Sequence, residues 1–188
     1  MAKEIYPDGS YYEGNFVNNK KSGQGNLFIN LGNYYLNDGS TYEGQFKNDS
    51  INGTVYILIN FQGTYKWIDN KTYTGEWKDN SLHGFGVLIK SGKKYQGFFV
   101  QDKKHGYGIY HVNNENKSII GKFVDNAING LAFQYSGKEI EKYMLMNDNK
   151  IIKTLDKEEI DKIKTSEEFI QLSIFIDEVK IRSNNIII

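Results

Sequence analysis

Hydrophobic and polar positions alternate in short runs along the chain, and the stretch YTGEWKDNSLHGFGVLI, residues 73–89, shows this most clearly. Tyr73, Gly75 and Trp77 take every second position, so these positions share one face of a predicted strand. The next residues, KDNSLHG, are of types that tolerate a bent backbone and predict a turn. A second strand, FGVLI, then runs antiparallel to the first. The pattern therefore predicts a β-hairpin.

The same unit recurs along the chain. Its core has the form aromatic-x-Gly-x-aromatic, and the five copies, the last one degenerate, are YEGNF, YEGQF, YTGEW, YQGFF and IIGKF, which begin at Tyr12, Tyr42, Tyr73, Tyr95 and Ile119. A further glycine follows each core glycine at one constant offset, at Gly23, Gly53, Gly84, Gly106 and Gly130. This recurrence predicts a meander of hairpins. Glycine within a strand costs conformational entropy, and we expect it here because it leaves room for aromatic rings to lie across the strand.

The chain changes character after the repeats. The run KEIEKYMLMNDNKIIKTL predicts a closing pair of strands with a turn at NDNK. The segments DKEEIDKIK and TSEEFIQLSIFIDEVKIRSN then predict two helices. We expect capping boxes at Asp156 with Glu159 and at Thr165 with Glu168.

The second predicted helix carries two apolar stripes. One comprises Phe169, Leu172, Phe175, Ile176 and Val179, and the other, on roughly the opposite side, comprises Ile170, Ile174 and Ile181. We expect one stripe to dock on the sheet or to cover its open end, which would hide unpaired edge groups. Two interpretations remain for the second stripe: the preceding helix and the segment NNIII cover it, or it binds a partner in a groove.

Composition excludes several classes of protein. The 188 residues contain 23 Lys plus Arg and 23 Asp plus Glu, so the basic footprint of a nucleic-acid binder is missing. The absence of cysteine excludes disulfides, thiolate metal sites and a cysteine nucleophile. The amino-terminal segment MAKEIYPDG has no apolar run, and the densest apolar segment, FIQLSIFI, is too short to span a bilayer. We therefore expect a soluble intracellular protein.

The sequence gives little indication of a nucleotide-binding, catalytic or metal-binding site. A nucleotide-binding loop at Gly84 or Gly106 would need a strand-to-helix context and a Lys-Ser/Thr pair, and the sequence has neither there. His83 and His105 occupy the same position in two copies without a recurring catalytic partner, so we interpret them as turn or packing residues. Scattered histidines without cysteine do not favour a metal site. We expect no enzymatic activity, cofactor or metal.

The repeated unit resembles the MORN (membrane occupation and recognition nexus) repeat. The nearest copies are residues 73–92, with YTGEW, HGFG and SG, and the copy at Tyr95, with YQGFF and KKHGYG. The second copy has Val55, and the fifth has Ala132, where the repeat carries its second glycine. The resemblance implies a mainly β fold, an elongated antiparallel single-layer β-meander of hairpins over residues 1–143. Residues 144–188 would form a C-terminal strand and helical cap.

The resemblance also implies a function. MORN proteins are assembly platforms in cilia, including radial-spoke heads, and in the cytoskeleton. We therefore expect a non-enzymatic scaffold that binds other proteins of a cytoskeletal or ciliary assembly, such as an axoneme. The expected location is the cytoplasm, the cytoskeleton or a cilium.

Two sets of residues are candidates for protein binding. The first is the aromatic ladder, which is either purely structural or lines an apolar groove for a partner's helix or peptide: Tyr42, Phe46, Tyr73, Trp77, Tyr95 and Phe99. The second is the stripe of Ile170, Ile174 and Ile181. Open sheet edges would also permit self-association.

A different hypothesis makes the chain a peripheral adaptor for acidic phospholipids. The equivalent hairpin turns of two copies carry paired lysines, Lys20 with Lys21 and Lys103 with Lys104. Lysines near a membrane surface attract anionic headgroups. The corresponding turns KNDSIN and VDNAIN interrupt the basic row, which favours ordinary solvated lysines. Membrane contact, if any, would be peripheral.

Overall fold

A computed structural model describes residues 2–7, 9, 11–28, 41–51, 63–112, 117–137 and 139–184. These residues form strands and then two helices: β1 Ala2–Ile5, β2 Tyr11–Val17, β3 Lys20–Phe28, β4 Thr41–Lys47, β5 Ser50–Ile51, β6 Gly63–Lys66, β7 Thr72–Lys78, β8 Ser81–Lys90, β9 Lys93–Val100, β10 Lys103–Val112, β11 Lys117–Val124, β12 Ala127–Ser136, β13 Glu139–Asn147, β14 Lys150–Thr154, α1 Lys157–Ile163 and α2 Glu167–Asn184. The predicted mainly β fold with a helical C-terminal segment is confirmed.

The strands belong to two compact units. The first unit comprises Met1–Gly92 and Val100–Asp102, and the second comprises Lys93–Phe99 and Lys103–Ile188. In the first unit the strand order is β1-β2-β3-β4-β6-β7-β8, and β5 also pairs with β4. In the second unit β9 to β14 are neighbours in chain order. Neighbouring strands pair antiparallel, as a meander requires.

A two-residue turn closes the hairpin of each repeat copy and the β13–β14 hairpin, and both turn residues have positive φ. In the turn after β7 the values are 49° for Asp79 and 67° for Asn80. Two consecutive positive φ angles define the type I′ turn, whose twist matches that of the flanking strands. The same pattern recurs at Asn18–Asn19, Asn48–Asp49, Gln101–Asp102, Asp125–Asn126 and Asp148–Asn149. Asn and Asp tolerate this conformation better than most residues, which explains their concentration in the turns.

In the five turns after Asn18–Asn19, the second residue also binds the main chain of the hairpin before it. Its side-chain Oδ1 accepts an N–H at 2.7 to 3.0 Å, and its own N–H donates to the carbonyl of the same residue at 3.0 to 3.2 Å. We call this pair of bonds the turn clamp. It joins Asp49 to Lys21, Asn80 to Ile51, Asp102 to Leu82, Asn126 to Lys104 and Asn149 to Ile128.

The repeated glycines make room for tyrosine rings, as the sequence predicts. Gly86 lies opposite Gly75 in the β7–β8 pair, and a Cβ at Gly86 would lie 2.4 Å from Oη of Tyr73. The hydroxyl of Tyr73 donates to the Glu76 carbonyl at 2.9 Å. In the second copy the sequence places Val55 at this position, and residues 52–62 lie outside the described structure. Gly63 instead pairs opposite Gly44.

Aromatic rings form a continuous ladder within each unit. Each tyrosine contacts the second aromatic residue of its own core edge to face, and Tyr12, Tyr42 and Tyr95 also contact that of the next copy, with centroids 4.9 to 5.6 Å apart. In the first unit the ladder runs Phe16, Tyr12, Phe46, Tyr42, Trp77, Tyr73, and in the second it runs Phe99, Tyr95, Phe123. Such pairs contribute about 0.5–1.5 kcal/mol each beyond area burial. The ladder is the core of the repeats.

Helix caps agree with the sequence prediction at α1 and differ at α2. Asp156 and Glu159 form the expected capping box of α1. The predicted box of Thr165 with Glu168 is wrong, because Ser166 precedes α2 and its hydroxyl accepts the Phe169 N–H at 3.3 Å. Glu168 instead reaches the sheet.

Candidate functional site

The six aromatic residues of the proposed groove are buried. Their exposed fractions are 5% or less, because each ring lies against its neighbours in the ladder. The residues are Tyr42, Phe46, Tyr73, Trp77, Tyr95 and Phe99. Their observed contacts are packing contacts, and binding of a partner through these rings stays a prediction.

One side of α2 packs on the sheet of the second unit. Phe175 contacts Phe98 and stacks on Tyr107, with centroids 6.3 and 5.9 Å away. Phe169 contacts Phe133 and Tyr143. Leu172, Phe175, Ile176 and Val179 are all buried, which confirms that this predicted stripe docks on the sheet. We call the sheet surface under α2 the helix face.

Glu168 fastens the start of α2 to β12. Its Oε1 accepts the Leu131 N–H at 2.8 Å. In the third copy Glu76 makes the equivalent bond within the repeat, accepting the Phe85 N–H at 2.9 Å. The equivalent position varies among the copies, and in the fifth copy, which has Lys122 there, α2 supplies the acceptor. Sequence reasoning missed this role, because no pattern along the chain links Glu168 to Leu131.

The other side of α2 faces outward. Ile170 and Ile174 are 45% and 48% exposed. Helix α1 has no buried residue and leaves both side chains accessible. The side chain of Ile181 and residues 185–188 of the NNIII segment lie outside the described structure. Ile170 and Ile174 thus form an outward-facing apolar pair, one helical turn apart. The opposite side of the same helix packs on the sheet.

The four candidate lipid-binding lysines differ in their surroundings. Lys20 is exposed. Nζ of Lys21 lies 3.9 Å from carboxylate oxygens of both Glu4 and Asp49. Lys103 pairs with Asp125 at 3.6 Å. Lys104 lies over three aromatic rings, and burial lowers its pKa. Lipid binding by these residues stays a prediction.

Two features of the described residues bear on other functions. No group of three or more His, Cys, Asp or Glu among them is placed to hold a metal ion. Neither α1 nor α2, within its described bounds, is long and apolar enough to cross a membrane.

Comparison with known proteins supports the repeat assignment. No curated protein matches the chain. The MORN repeat model matches at residues 12–27, 42–54, 73–92 and 95–116. Each match begins at a tyrosine of the aromatic ladder and covers the rest of that tyrosine's strand and the turn after it. These matches place the chain in the MORN-repeat family.

Proposed function

We propose that the chain is a non-enzymatic scaffold that binds another protein through the outward side of α2, within a cytoskeletal or ciliary assembly. MORN repeats are interaction modules for proteins or membranes. The observation that carries the proposal is the exposure of Ile170 and Ile174, whose helix is held to the sheet by a separate buried stripe.

Physical reasoning favours a protein partner for this surface. Two exposed isoleucines one turn apart are the anchors that a groove-binding or helix-pairing partner uses. Burying them would release about 25 cal/mol for each Å² of apolar surface removed from water. The sheet would present α2 in a fixed position, which lowers the ordering entropy that binding costs.

The experiment compares proteins captured from cells of the source organism by the full chain and by two variants. Ile170→Asp with Ile174→Asp places charges on the outward side of α2, and Ile151→Asp with Ile152→Asp places them on β14, where both isoleucines are also exposed. We expect the α2 variant alone to lose its stable, stoichiometric partners while circular dichroism stays native. Equal partner sets for all three proteins would contradict the proposal, and the identities of the partners test the cytoskeletal assignment.

The phospholipid adaptor has less support. Two of the four turn lysines are paired with carboxylates, and Lys104 is half-buried. We expect flotation with anionic vesicles to be insensitive to Lys103→Gln with Lys104→Gln. Strong flotation that this change abolishes would favour the adaptor instead.

A further inference from the structure

A row of polar side chains crosses the helix face beside α2. His111 on β10 pairs opposite Ser118 on β11, and Ser118 pairs opposite Tyr135 on β12. On β9, Lys94 belongs to the same row. A Cβ on Gly97 would lie 2.5 Å from the Cα of Gly108, so these two glycines lie opposite each other on β9 and β10. Because the two strands are antiparallel, Lys94, three residues before Gly97, lies opposite His111, three residues after Gly108.

The members of this row lie on the face that α2 covers in part. Lys94, Gln96 and Phe98 alternate along β9, and Phe98 contacts Phe175 of α2. All four members of the row are half-buried. A ligand could therefore reach them from solvent and still be partly shielded from it.

The positive charge of this row has no carboxylate partner among the residues that the structure describes. Within the described part of the chain, no carboxylate lies within ion-pair distance of Lys94 or His111. Burial lowers the pKa of Lys94, and burial together with the Lys94 charge lowers the pKa of His111. No nearby anion is among the causes of either shift.

Hydrogen-bond donors outnumber acceptors at the same place. Ser118 Oγ and His111 Nδ1 lie 2.9 Å apart, which leaves Nε2 of the imidazole ring for another partner. One pleat along β9 from Lys94, Gln96 is 3% exposed and its amide nitrogen has no acceptor among the described groups. A buried donor without an acceptor costs free energy, which a ligand oxygen within reach would recover.

Tyr135 lies at the end of the row opposite Lys94, next to Ser118. Burial, followed by the charges of Tyr143 and Asp177, raises the pKa of Tyr135. Asp177 is exposed on α2 and acts on Tyr135. Asp177, the carboxylate that acts on Tyr135, therefore lies at the end of the row opposite Lys94.

We propose that Lys94, His111 and Ser118 form a binding site for a small tetrahedral oxyanion, such as inorganic phosphate or the phosphate group of a lipid headgroup. Lys94 supplies the charge. When His111 is protonated, its Nδ1–H donates to Ser118 Oγ, so the Nε2–H and the serine hydroxyl both remain as directed donors for phosphate oxygens. No part of the proposed scaffold function depends on this site.

The test follows the histidine Cε1–H signals of the full chain by NMR during titration with sodium sulfate and, separately, inorganic phosphate. Sodium chloride at matched ionic strength is the salt control. We expect a saturable shift of the His111 signal, with His83 and His105 as internal references. Sulfate keeps its charge from pH 5 to 8, so its affinity should rise as the pH falls and His111 gains a proton.

Matched lysine variants make the test specific. Lys94→Gln removes the proposed charge, and Lys93→Gln removes a neighbouring exposed charge on the opposite face. We expect the first change to weaken sulfate binding about tenfold or more and the second to change it less than about twofold. A shift that does not saturate, that chloride reproduces, or that both variants reduce equally indicates an adventitious ion only and overturns the proposal.

A second experiment distinguishes a lipid phosphate from a soluble phosphate as the bound anion. Vesicles of phosphatidylcholine with and without phosphatidic acid are compared with inorganic phosphate. Vesicle binding that requires phosphatidic acid and Lys94 indicates a lipid headgroup, whereas saturable phosphate binding without vesicle binding indicates a soluble phosphate. Absence of both contradicts the proposed site.

Discussion

Asp102 holds the main chain of Leu82 at two points. The Leu82 N–H donates to Oδ1 of Asp102 at 2.8 Å, and the Asp102 N–H donates to the Leu82 carbonyl at 3.1 Å. Asp102 also has a φ of 66°, which a residue with a short polar side chain tolerates best after glycine. One side chain therefore serves both the turn and its attachment to the previous hairpin.

Substitutions at Asp102 should separate these two roles. Asp102→Asn keeps the acceptor and should change the free energy of unfolding by less than about 1 kcal/mol. Asp102→Gly keeps the backbone conformation and loses the acceptor, at a cost of about 1–2 kcal/mol. Asp102→Ala loses both, at about 2–3 kcal/mol. Urea denaturation measures the series, and equal stability of the Gly and Asn variants would show that the clamp contributes nothing.

The need for glycine at position 86 depends on the side chain of Tyr73. A Cβ at Gly86 would lie 2.4 and 2.5 Å from atoms of the Tyr73 side chain, so Gly86→Ala should destabilise the protein by about 1–3 kcal/mol. The fifth copy carries Ile119 and Ala132 at the corresponding positions. We therefore expect Tyr73→Ile with Gly86→Ala to cost less than the sum of the single changes, by at least about 0.5 kcal/mol.

The control for this pair is a double-mutant cycle measured by denaturation. Additive free energies in the cycle would mean that the tyrosine ring does not determine the need for glycine. Tyr73→Ile with Gly84→Ala supplies a comparison, because a Cβ on Gly84 would meet the Glu76 carboxylate rather than the tyrosine. That second cycle should be nearly additive.

Sequence reasoning recovers the hairpins because their determinants are local. Alternation at Tyr73, Gly75 and Trp77, followed by two turn residues, specifies strand, turn and face within one repeat. The turn clamp was missed because it joins neighbouring copies, although Asn or Asp at a constant offset in every copy was a readable signal. The pairing of Gly63 with Gly44 depends on residues inserted in the second copy, and no local rule assigns that register.

The attachment of α2 was only partly predictable. Periodicity identifies the buried stripe of Leu172 and Phe175, since a helix buries residues three and four apart. It does not show that Glu168 would leave the cap and bind β12, because that choice depends on a free main-chain donor at Leu131. The burial of the ladder aromatics likewise follows from contacts between copies, which the sequence of one copy does not contain.

Removal of the Glu168 carboxylate should loosen α2. Glu168→Ala leaves the Leu131 N–H without its acceptor, and we expect a loss of about 1–2 kcal/mol in the opening free energy of α2. Glu167→Ala is the matched control, because it removes the same charge from the same helical turn at an exposed position. Amide hydrogen exchange across residues 169–179 reports the difference. Equal protection in both variants would assign the effect to the helix dipole rather than to the sheet bond.

Lys104 should make stability depend on pH at the alkaline end. Burial lowers its pKa in the folded state, so the unfolded chain binds more protons between the folded pKa and the ordinary lysine value of 10.5. Stability from this residue therefore rises as the pH increases through that range. The clamp positions of three other copies hold Ile51, Leu82 and Ile128, so Lys104→Met should be tolerated. We expect the stability of wild type relative to this variant to increase from pH 7 to pH 10 in urea denaturation. A pH-independent difference would mean that contact with the rings of Tyr95, Tyr110 and Phe123 fully compensates the buried charge.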